Sequence, residues 1–372
     1  MNAEDKLEIL SRDGQYDLAC ACGSQKDDRR HRSKNNTWIY PVTVPQGGVS
    51  YIFKTLLSNS CVNDCKYCPL RADNDTRRCS LQPDRLAEIF LEYYRKNMVQ
   101  GLFLSSGVRE NPDAAMAKIN DAAWILRKKK RFRGYIHLKV IPGASDSAVE
   151  EAVSLGNSVS INIEAPGENN FRKLSLSKDY IKDVIRPLKL ISKLTGRGNR
   201  YSRVKQTTQF VVGASDETDR EIIKYSWGLY KRLGLNRIYF SAYQRGLGDQ
   251  DLPGESSAAG NGDLLTREHR LYQVDFLIRK YGFDAEEIPV GNDGNLSLLI
   301  DPKESWAKCH PEKFPVDINK ADRHELLRVP GLGHVTADFI LKVRSRGGRL
   351  RNLENIGRVG KRLRKAEQYI TF

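Results

Sequence analysis

No apolar stretch of this sequence is long enough to cross a lipid bilayer. Its apolar runs, such as "QFVVGA" and "LSLLI", fall far short of the roughly 20 residues that a spanning helix needs. The opening residues "MNAEDKLEIL" carry acids and no long apolar run, so we expect no secretory signal there. Low-complexity tracts and short-period repeats are also missing. These absences predict a cytoplasmic protein with no membrane partner.

Cysteine is too scarce for a disulfide scaffold, because the 372 residues contain only 7 cysteines, an odd number. Three of them, Cys61, Cys65 and Cys68, lie within the segment "SCVNDCKYCPLR", residues Ser60–Arg71, which we call the cysteine loop. Such tight clustering fits a reducing compartment and metal ligation better than disulfide bonding.

Basic residues outnumber acidic ones. Lys and Arg total 61 and Asp and Glu total 46, which gives a net charge of +15. This excess favours a polyanionic partner, most simply nucleic acid, although a basic and well-solvated surface would have the same composition.

Short apolar runs alternate with stretches of helical spacing from Tyr51 onward. Alternation of this kind predicts parallel βα units, wound as a barrel or as an open sheet. The six candidate strands are "YIFKTLLS", "GLFLSS", "YIHLKVI", "SVSINIE", "KQTTQFVV" and "RIYFSAY".

The carboxyl ends of parallel strands carry the chemistry in such folds. The cysteine loop follows the first strand directly, so it should lie at that reactive end. The run "RKKKRFR", Arg127–Arg133, precedes a strand and should lie at the opposite rim. We interpret this run as cations that finish a helix and face water.

Four segments follow from these patterns. Residues 1–50 are polar and turn-rich and are predicted to be a solvated arm. Residues 51–245 form the α/β unit. Residues 246–315 contain a Gly-, Ser- and Asp-rich loop or lid and a helix near 266–281. Residues 316–372 form a compact all-α unit.

The cysteine spacing leaves two metal chemistries open. A structural zinc ion wants four protein ligands, and no remaining cysteine or histidine shows a matching paired spacing. A four-iron cluster held by only three thiolates keeps one iron open for a substrate or cosubstrate. The candidates for a fourth zinc ligand are Cys20, Cys22, Cys79, Cys309 and His310; we expect Cys79 and Cys309 to be packed thiols.

The pattern Cys-x3-Cys-x-aromatic-Cys, with Tyr67 at the aromatic position, resembles the motif of the radical S-adenosylmethionine (SAM) superfamily. The resemblance covers about Tyr51–Tyr243 and implies a partial, TIM-like (βα)6 barrel. It also implies that Cys61, Cys65 and Cys68 hold a [4Fe-4S] cluster, with SAM bound at the open iron. A reducing donor such as flavodoxin or ferredoxin would supply one electron, and SAM would be cleaved to a 5′-deoxyadenosyl radical.

The resemblance also assigns SAM contacts to strand ends. Asn162 and Glu164 fall on one face of the fourth strand, and buried polar groups there need partners. Ser105, Ser106 and Gly107 stand where the family usually has two glycines and a glutamate, a departure that leaves a carboxylate contact to the SAM amine unassigned. The full predicted set is Tyr67, Ser105, Ser106, Gly107, Asn162, Glu164, Gln209, Gly213, Ser241 and Tyr243.

The C-terminal segment "LLRVPGLGHVTADFIL" has the pattern of a helix, a tight turn and a second helix. It resembles the helix-hairpin-helix motif, which binds the DNA phosphate backbone without reading sequence. Asn352–Ile370 looks like a degenerate second copy, with Gly357 and Gly360 in its turn. From Asn319 to Phe372 there are 13 Lys or Arg and 5 Asp or Glu, so 13 − 5 = +8. A protein-binding helical module is the alternative. The predicted DNA contacts are Arg328, Gly331, Gly333, His334, Thr336, Lys342 and Arg344.

Together the two parts resemble a bacterial family of radical SAM proteins of DNA modification or repair, which carry this hairpin and are associated with a uracil-DNA-glycosylase-like partner. The resemblance implies hydrogen abstraction from a nucleotide of DNA, with the base extruded into the barrel and residues 245–263 closing over it. Two alternatives stay open at this point: an RNA- or tRNA-modifying radical SAM enzyme, and a zinc-stabilised DNA-binding adaptor without enzymatic activity.

Overall fold

The computed structural model describes residues 1–17, 39–43, 48–257 and 260–372. Cys20 and Cys22 lie outside these ranges, so the prediction of a metal site there stays untested. The described chain divides into two compact units. The first unit comprises residues 1–217 and 229–268, and the second comprises residues 218–228 and 269–372.

A seven-stranded sheet forms the centre of the first unit. Its strands lie in sequence order, and the sheet is not closed, because the last strand does not pair with the first. β1 runs antiparallel to β2, whereas each following strand is parallel to its neighbour. The strands are β1 (Ile39–Thr43), β2 (Val49–Leu56), β3 (Gly101–Ser105), β4 (Tyr135–Lys139), β5 (Ser158–Ser160), β6 (Lys205–Val212) and β7 (Arg237–Ala242). All six predicted strands are present as β2–β7, and the prediction of a partial (βα)6 barrel is confirmed.

Residue alternation explains how this sheet presents polar groups to its interior. Side chains of successive strand residues point to opposite faces. In β3, Leu102 and Leu104 are fully buried on one face, whereas Phe103 and Ser105 share the other. Because the strands are in parallel register, residues of neighbouring strands lie side by side on that second face, as Phe103 and His137 do.

Helices follow each parallel strand. Their apolar residues recur at helical spacing, as in α2, where Leu86, Ile89 and Phe90 are buried. The helices of the first unit are α1 (Ala3–Asp13), α2 (Pro83–Arg95), α3 (Pro112–Trp124), α4 (Asp146–Leu155), α5 (Glu168–Leu174), α6 (Arg186–Thr195) and α8 (Pro253–Ser256). Two helices contribute residues to both units: α7 (Asp219–Leu233) and the long α9 (Asn261–Tyr281). Short π-helical turns occupy Ile125–Lys129 and Tyr180–Ile185.

Helix α1 is not part of the sequence prediction, which describes residues 1–50 as a solvated arm. Asn2 caps this helix through the amide of Asp5, and the Asp5 side chain accepts a hydrogen bond from the Asn2 amide in return. Leu7 and Leu10 are buried. The helix is only three turns long, so its few apolar positions stand out poorly from the polar segment that follows.

The second unit is built around one apolar core. Its own elements are α10 (Pro302–Cys309), β8 (Val316–Asp317), α11 (Arg323–Arg328), α12 (His334–Ser345), α13 (Lys361–Ala366) and β9 (Ile370–Thr371). The two short strands pair in parallel, Val316 opposite Ile370. Residues of both predicted hairpin copies, such as Leu326, Ile340 and Leu363, share the core. The repeat is therefore one folded module.

Among the described residues, none of the helices has both the length and the apolar character that a bilayer-spanning helix requires.

Candidate active site

The cysteine loop leaves the carboxyl end of β2 and is joined to the segment after β3. Val62 N–H donates to the Val108 carbonyl at 2.7 Å, and Gly107 N–H donates to the Ser58 carbonyl at 2.7 Å. A Cβ atom on Gly107 would lie 2.5 Å from the Ser60 carbonyl oxygen. Only glycine therefore permits this close approach of the two backbones.

Arg78 ties the ends of the cysteine loop together. Its Nη1 donates to the carbonyls of Asn59 at 2.6 Å and Leu70 at 2.9 Å. Its Nη2 donates to the carbonyls of Arg71 at 2.8 Å and Asn74 at 2.9 Å. One guanidinium group thus fixes four backbone oxygens that flank the three cysteines.

Asp64 fixes the middle of the same loop from the other side. Its carboxylate accepts hydrogen bonds from the hydroxyls of Ser175 and Ser177, at 2.5 and 2.6 Å. It also accepts from the amides of Leu176 and Ser177, at 2.8 and 3.0 Å. Burial alone would raise the pKa of Asp64, but these four donors lower it below its usual value.

The three thiols of the loop are free and lie close to one another. Burial raises the pKa of Cys68 to about 12, and the neighbouring Cys65 adds to this effect. Lys178 Nζ lies 3.0 Å from Cys65 Sγ. Burial would lower the pKa of Lys178, but the adjacent thiol groups raise it above its usual value. The Lys178 ammonium group would offset the negative charge of metal-bound thiolates, the form of cysteine that binds metals.

All three cysteines line one cavity at the carboxyl ends of the strands, with a volume of about 190 Å³. Asn162 and Gln209 face this cavity and are each only 6 % exposed, and Ser241 is 7 % exposed. Within the described chain, none of these three side chains has a hydrogen-bond partner. Because buried polar groups require partners, the cavity is suited to a polar ligand.

The predicted SAM residues gather around this cavity with one exception. Gly213 is not among the lining residues; its amide donates to the Glu217 carboxylate at 2.6 Å, and its φ of +82° explains the glycine. The lining members of the predicted set are Tyr67, Ser105, Ser106, Gly107, Asn162, Glu164, Gln209, Ser241 and Tyr243.

Glu164 is held in an unusual backbone conformation, with a φ of +62°. Its amide donates to the Gln209 carbonyl at 3.0 Å, and its carbonyl accepts from the Val211 amide at 2.8 Å. Tyr67 is hydrogen-bonded to the Glu164 side chain, and burial together with this carboxylate raises the pKa of Tyr67. Left-handed conformations of non-glycine residues cluster at functional sites, where the surrounding structure imposes them.

Sequence reasoning missed two lysines of the cavity, Lys139 and Lys178. Lys139 could have been found, because it follows His137 by two positions on the polar face of β4. Lys178 could not, because it lies in the connection after α5, where no periodicity indicates a direction.

The segment predicted as a flexible lid is already attached to the cysteine loop in its first half. Asp249 N–H donates to the Lys66 carbonyl at 2.8 Å, and Arg71 Nη1 donates to the Leu247 carbonyl at 3.0 Å. Tyr243 donates its hydroxyl proton to Glu255. Leu247 therefore lines the cavity, and residues 247–255 are hydrogen-bonded to its surroundings; closure of residues 245–263 over a substrate stays a prediction.

Within the residues that the structure describes, no three His, Cys, Asp or Glu side chains are grouped so that one ion could bind them. Zinc ligands converge to within roughly 2.3 Å of one centre. A [4Fe-4S] cluster binds each thiolate at a different iron, so it does not need three sulfur atoms to converge on one centre.

The first hairpin of the second unit packs tightly around Gly331. This glycine has a φ of +88°, and a Cβ atom on it would lie 2.2 Å from the Arg362 carbonyl oxygen. Lys303 Nζ donates to the Leu332 carbonyl at 2.6 Å, and burial lowers the pKa of Lys303 to about 7. The turn is thus fixed from both sides, as a binding turn must be.

Two of the predicted DNA contacts point into the protein. Arg328 is 7 % exposed, pairs with Glu287 at 2.7 Å and stacks 3.9 Å from the centre of the Phe283 ring. Arg344 donates to the backbone carbonyls of Ala321 and, at 2.9 Å, Lys320. Arg328 is buried and is therefore not placed to reach a phosphate, whereas Arg344 is partly exposed and its contact with DNA stays a prediction. Sequence alone does not separate a surface cation from one that is satisfied internally.

The remaining predicted contacts stay at the surface of the hairpin. His334 and Lys342 are exposed, and Gly333 and Thr336 are partly exposed. Two apolar side chains of α12 are exposed as well, Val335 at 71 % and Phe339 at 41 %.

The second hairpin carries exposed cations that the prediction of individual contacts omitted. Its turn contains Gly357 and Gly360, and the latter caps α13. The exposed cations of this hairpin are Arg358, Lys361, Arg362 and Arg364. The glycine pair and the local charge excess were the signal that could have identified them.

Comparison with known families agrees with this geometry. Residues 55–225 match the family model of the radical SAM superfamily. The chain contains a radical SAM domain. Residues 312–366 match the model of the helix-hairpin-helix motif. Radical SAM domains use a [4Fe-4S] cluster and SAM, and the three free thiols and the unsatisfied polar side chains of the cavity fit these two groups.

Several solved structures with different names are similar to this chain. HydG, a maturase of the [FeFe]-hydrogenase, is 13 % identical over 59 % of this chain and 48 % of its own, with a TM-score of 0.45. Methylornithine synthase, PylB, is 13 % identical over 60 % and 62 %, with a TM-score of 0.46. Streptococcus suis SuiB is 12 % identical over 62 % and 48 %, with a TM-score of 0.45. The chain thus spans about half to three fifths of their lengths. A comparison with curated proteins gave no match.

Proposed function

We propose that this protein is a radical SAM enzyme that abstracts a hydrogen atom from a nucleotide of DNA, in modification or repair. The observation that carries the first half is the cavity in which three free thiols meet buried, unsatisfied polar side chains. The helix-hairpin-helix module supports the second half. When bound, the reduced [4Fe-4S] cluster supplies the electron that cleaves SAM to the hydrogen-abstracting 5′-deoxyadenosyl radical.

The residues of the chain divide this work. Cys61, Cys65 and Cys68 would hold the cluster, with Arg78 and Asp64 fixing their loop. Asn162, Gln209 and Ser241 offer hydrogen-bonding groups to SAM from the strand ends, and Ser105, Ser106 and Gly107 line the cavity beside the cysteine loop. The hydrogen bonds of Arg78 and Asp64 fix the backbone around the three cysteines, as a preorganised site requires.

The DNA contacts are assigned to both hairpins. Gly333, His334, Thr336 and Lys342 would approach the phosphate backbone from the first, with Gly331 fixing its turn, and the cations of 358–364 would approach from the second. Exposed cations bind phosphates without regard to sequence. A target base would have to leave the duplex to reach a cavity at strand ends.

The partners follow from this chemistry. A flavodoxin- or ferredoxin-type protein would supply the electron, and a uracil-DNA-glycosylase-like protein would act beside this one, as the family resemblance implies. The free thiols favour a reducing, cytoplasmic location.

The direct test uses deuterated DNA. The anaerobically reconstituted full chain is incubated with dithionite, SAM and duplex DNA whose nucleosides carry deuterium, and 5′-deoxyadenosine is analysed by mass spectrometry. We expect deuterium in the 5′-deoxyadenosine, and none of this product with Cys65→Ala. A parallel reaction with matched deuterated RNA distinguishes this proposal from the alternative of an RNA-modifying enzyme.

Three outcomes contradict the proposal. Absence of 5′-deoxyadenosine rejects the radical chemistry. Transfer of deuterium from RNA but not from DNA rejects DNA as the substrate. Full activity of Cys65→Ala rejects the assignment of the cluster ligands.

A further inference from the structure

Three segments of the first unit carry positive charge and no negative charge. They are residues 127–133, 193–205 and 231–237, and none contains Asp or Glu. The first segment precedes β4, and the other two end at the first residues of β6 and β7. Segments that enter parallel strands lie at the amino-terminal rim of a barrel, opposite to the cysteine loop. This location is separate from the cavity described above.

Hydrogen bonds join the first of these segments to the second through Asn157, which precedes the intervening strand β5. The Asn157 Oδ1 accepts from Arg127 Nη2 at 2.7 Å and from the Ile136 amide at 2.8 Å. The Asn157 carbonyl accepts from the Lys205 amide at 3.0 Å. One side chain and its own carbonyl therefore bridge the two segments.

Further hydrogen bonds join Ser192 and Gln206, the residues on either side of the second segment, to the third segment. The Asn236 Oδ1 accepts from the Gln206 amide at 2.7 Å, and Ser192 Oγ donates to the Leu233 carbonyl at 2.6 Å. The three segments are thus one continuous surface, which we call the basic rim. Strands lie about 4.8 Å apart, so the rim from β4 to β7 is roughly 14 Å wide before its side chains are counted.

Twelve cations of the basic rim are exposed. Among the residues that the structure describes, none of these twelve forms an ion pair or a hydrogen bond with a carboxylate. The exposed members are Lys128, Lys129, Lys130, Arg131, Arg133, Lys193, Arg197, Arg200, Arg203, Lys205, Lys231 and Arg232. Uncompensated like charges this close repel one another, which a polyanion bound to the surface would relieve.

Aromatic rings lie among these cations. Trp124 is 41 % exposed, and Lys129 Nζ lies 5.4 Å from the centre of a Trp124 ring. The guanidinium group of Arg200 lies 5.4 Å from the centre of the Tyr201 ring. Arginines and accessible aromatic rings on one basic surface are typical of nucleic-acid binding.

We propose that the basic rim binds the phosphate backbone of nucleic acid, as a contact surface separate from the helix-hairpin-helix module. The proposal extends the proposed function but does not depend on its radical chemistry, because binding is measured without SAM or reductant. The rim would hold a polymer, or the product strand, away from the cavity, and would add its contacts to those of the two hairpins.

The test compares two triple variants of the full chain that remove the same charge. The rim variant carries Lys130→Gln, Arg203→Gln and Arg232→Gln, one change in each segment. The control variant carries Lys118→Gln, Lys182→Gln and Lys189→Gln, exposed lysines outside the basic rim. Binding of a fluorescent random-sequence DNA duplex is measured by anisotropy from 50 to about 300 mM salt.

We expect the rim variant to bind more weakly and with a shallower salt dependence. Each lost phosphate contact lowers the slope of log K against log salt by about 0.9, which corresponds to roughly fivefold in affinity near 0.15 M salt. Three contacts would therefore cost on the order of 100-fold and about 2.7 in slope. The control variant should keep the wild-type slope.

Equal behaviour of the rim and control variants would overturn the proposal. It would also be overturned if the rim variant bound DNA like wild type but lost binding to phosphatidylserine vesicles, since the surface would then serve a membrane. Circular dichroism and thermal unfolding establish that both variants fold, and the exposed positions of all six side chains make folding defects unexpected. Neither result bears on whether SAM is cleaved.

Discussion

Replacing Arg78 by lysine should release the cysteine loop without unfolding the barrel. Arg78 makes four hydrogen bonds to loop carbonyls, at 2.6, 2.9, 2.8 and 2.9 Å. The single ammonium group of lysine cannot span all four oxygens, and we take it to keep two. Hydrogen bonds from a charged donor contribute about 1.5 kcal/mol each at the low end of their range. The variant therefore loses about 3 kcal/mol of loop stabilisation.

This loss should appear as faster release of iron. A change of 3 kcal/mol alters an equilibrium by roughly 100-fold, so a chelator should remove iron from Arg78→Lys on the order of 100 times faster than from wild type. The matched control is Arg77→Lys, because Arg77 is exposed and adjacent in sequence. Equal rates of iron release for wild type and both variants would refute the role assigned to Arg78.

Three further predictions concern stability. Gly331→Ala should destabilise the second unit by about 1–3 kcal/mol and weaken DNA binding, because its Cβ would meet the Arg362 carbonyl at 2.2 Å; Gly333→Ala, whose Cβ has no contact below 3.4 Å, should behave like wild type in the same urea titration. Gly228→Ala should stabilise α7 by about 0.5–1 kcal/mol, since nothing lies within 4 Å of the added methyl group; an unchanged or lower unfolding midpoint would contradict this. Burial lowers the pKa of Lys303 to about 7 from 10.5, so between these pH values the unfolded chain binds a proton that the folded chain releases, and the contribution of Lys303 makes the protein more stable as pH rises. Lys303→Met should therefore flatten the rise in unfolding free energy between pH 7 and pH 10, measured with urea, and an identical pH dependence would count against the burial of this amine.

The barrel could be predicted from the sequence because its signals are local. Each strand is a short apolar run, each is followed by a helical stretch, and βα units in succession leave few topologies. All six strands begin within two residues of their predicted starts. Their ends agree less well, because β5 stops at Ser160 whereas "SINIE" suggested a longer strand. The polar residues Asn162 and Glu164 leave regular pairing there and enter the cavity.

The cavity could be predicted only in part. Strand alternation was enough to place Asn162 and Glu164 on one face, because a strand position fixes the direction of a side chain. Gln209 and Ser241 came from the family resemblance. Lys178 reaches Cys65 from a connection with no periodicity, so no pattern could assign it.

Charge was the least reliable guide at the level of single residues. Arg328, Arg344 and Lys342 are all cations of the same motif, yet Arg328 pairs with Glu287 and Arg344 donates to a backbone carbonyl, whereas Lys342 is exposed. The run Arg127–Arg133 was interpreted as cations facing water, and most of its residues are exposed. Its continuity with the segments before β6 and β7 depends on tertiary hydrogen bonds of Asn157 and Asn236, which the sequence does not reveal.

The central claim is that Cys61, Cys65 and Cys68 hold a cluster with one open iron. Electron paramagnetic resonance of the anaerobic, dithionite-reduced protein, combined with metal and sulfide analysis of the same sample, tests it most directly. We predict iron and sulfide in equal amounts that match one [4Fe-4S] cluster per chain, a signal that changes when SAM is added, and loss of both in Cys65→Ala. One zinc ion per chain, without sulfide and without a paramagnetic signal, would contradict the account.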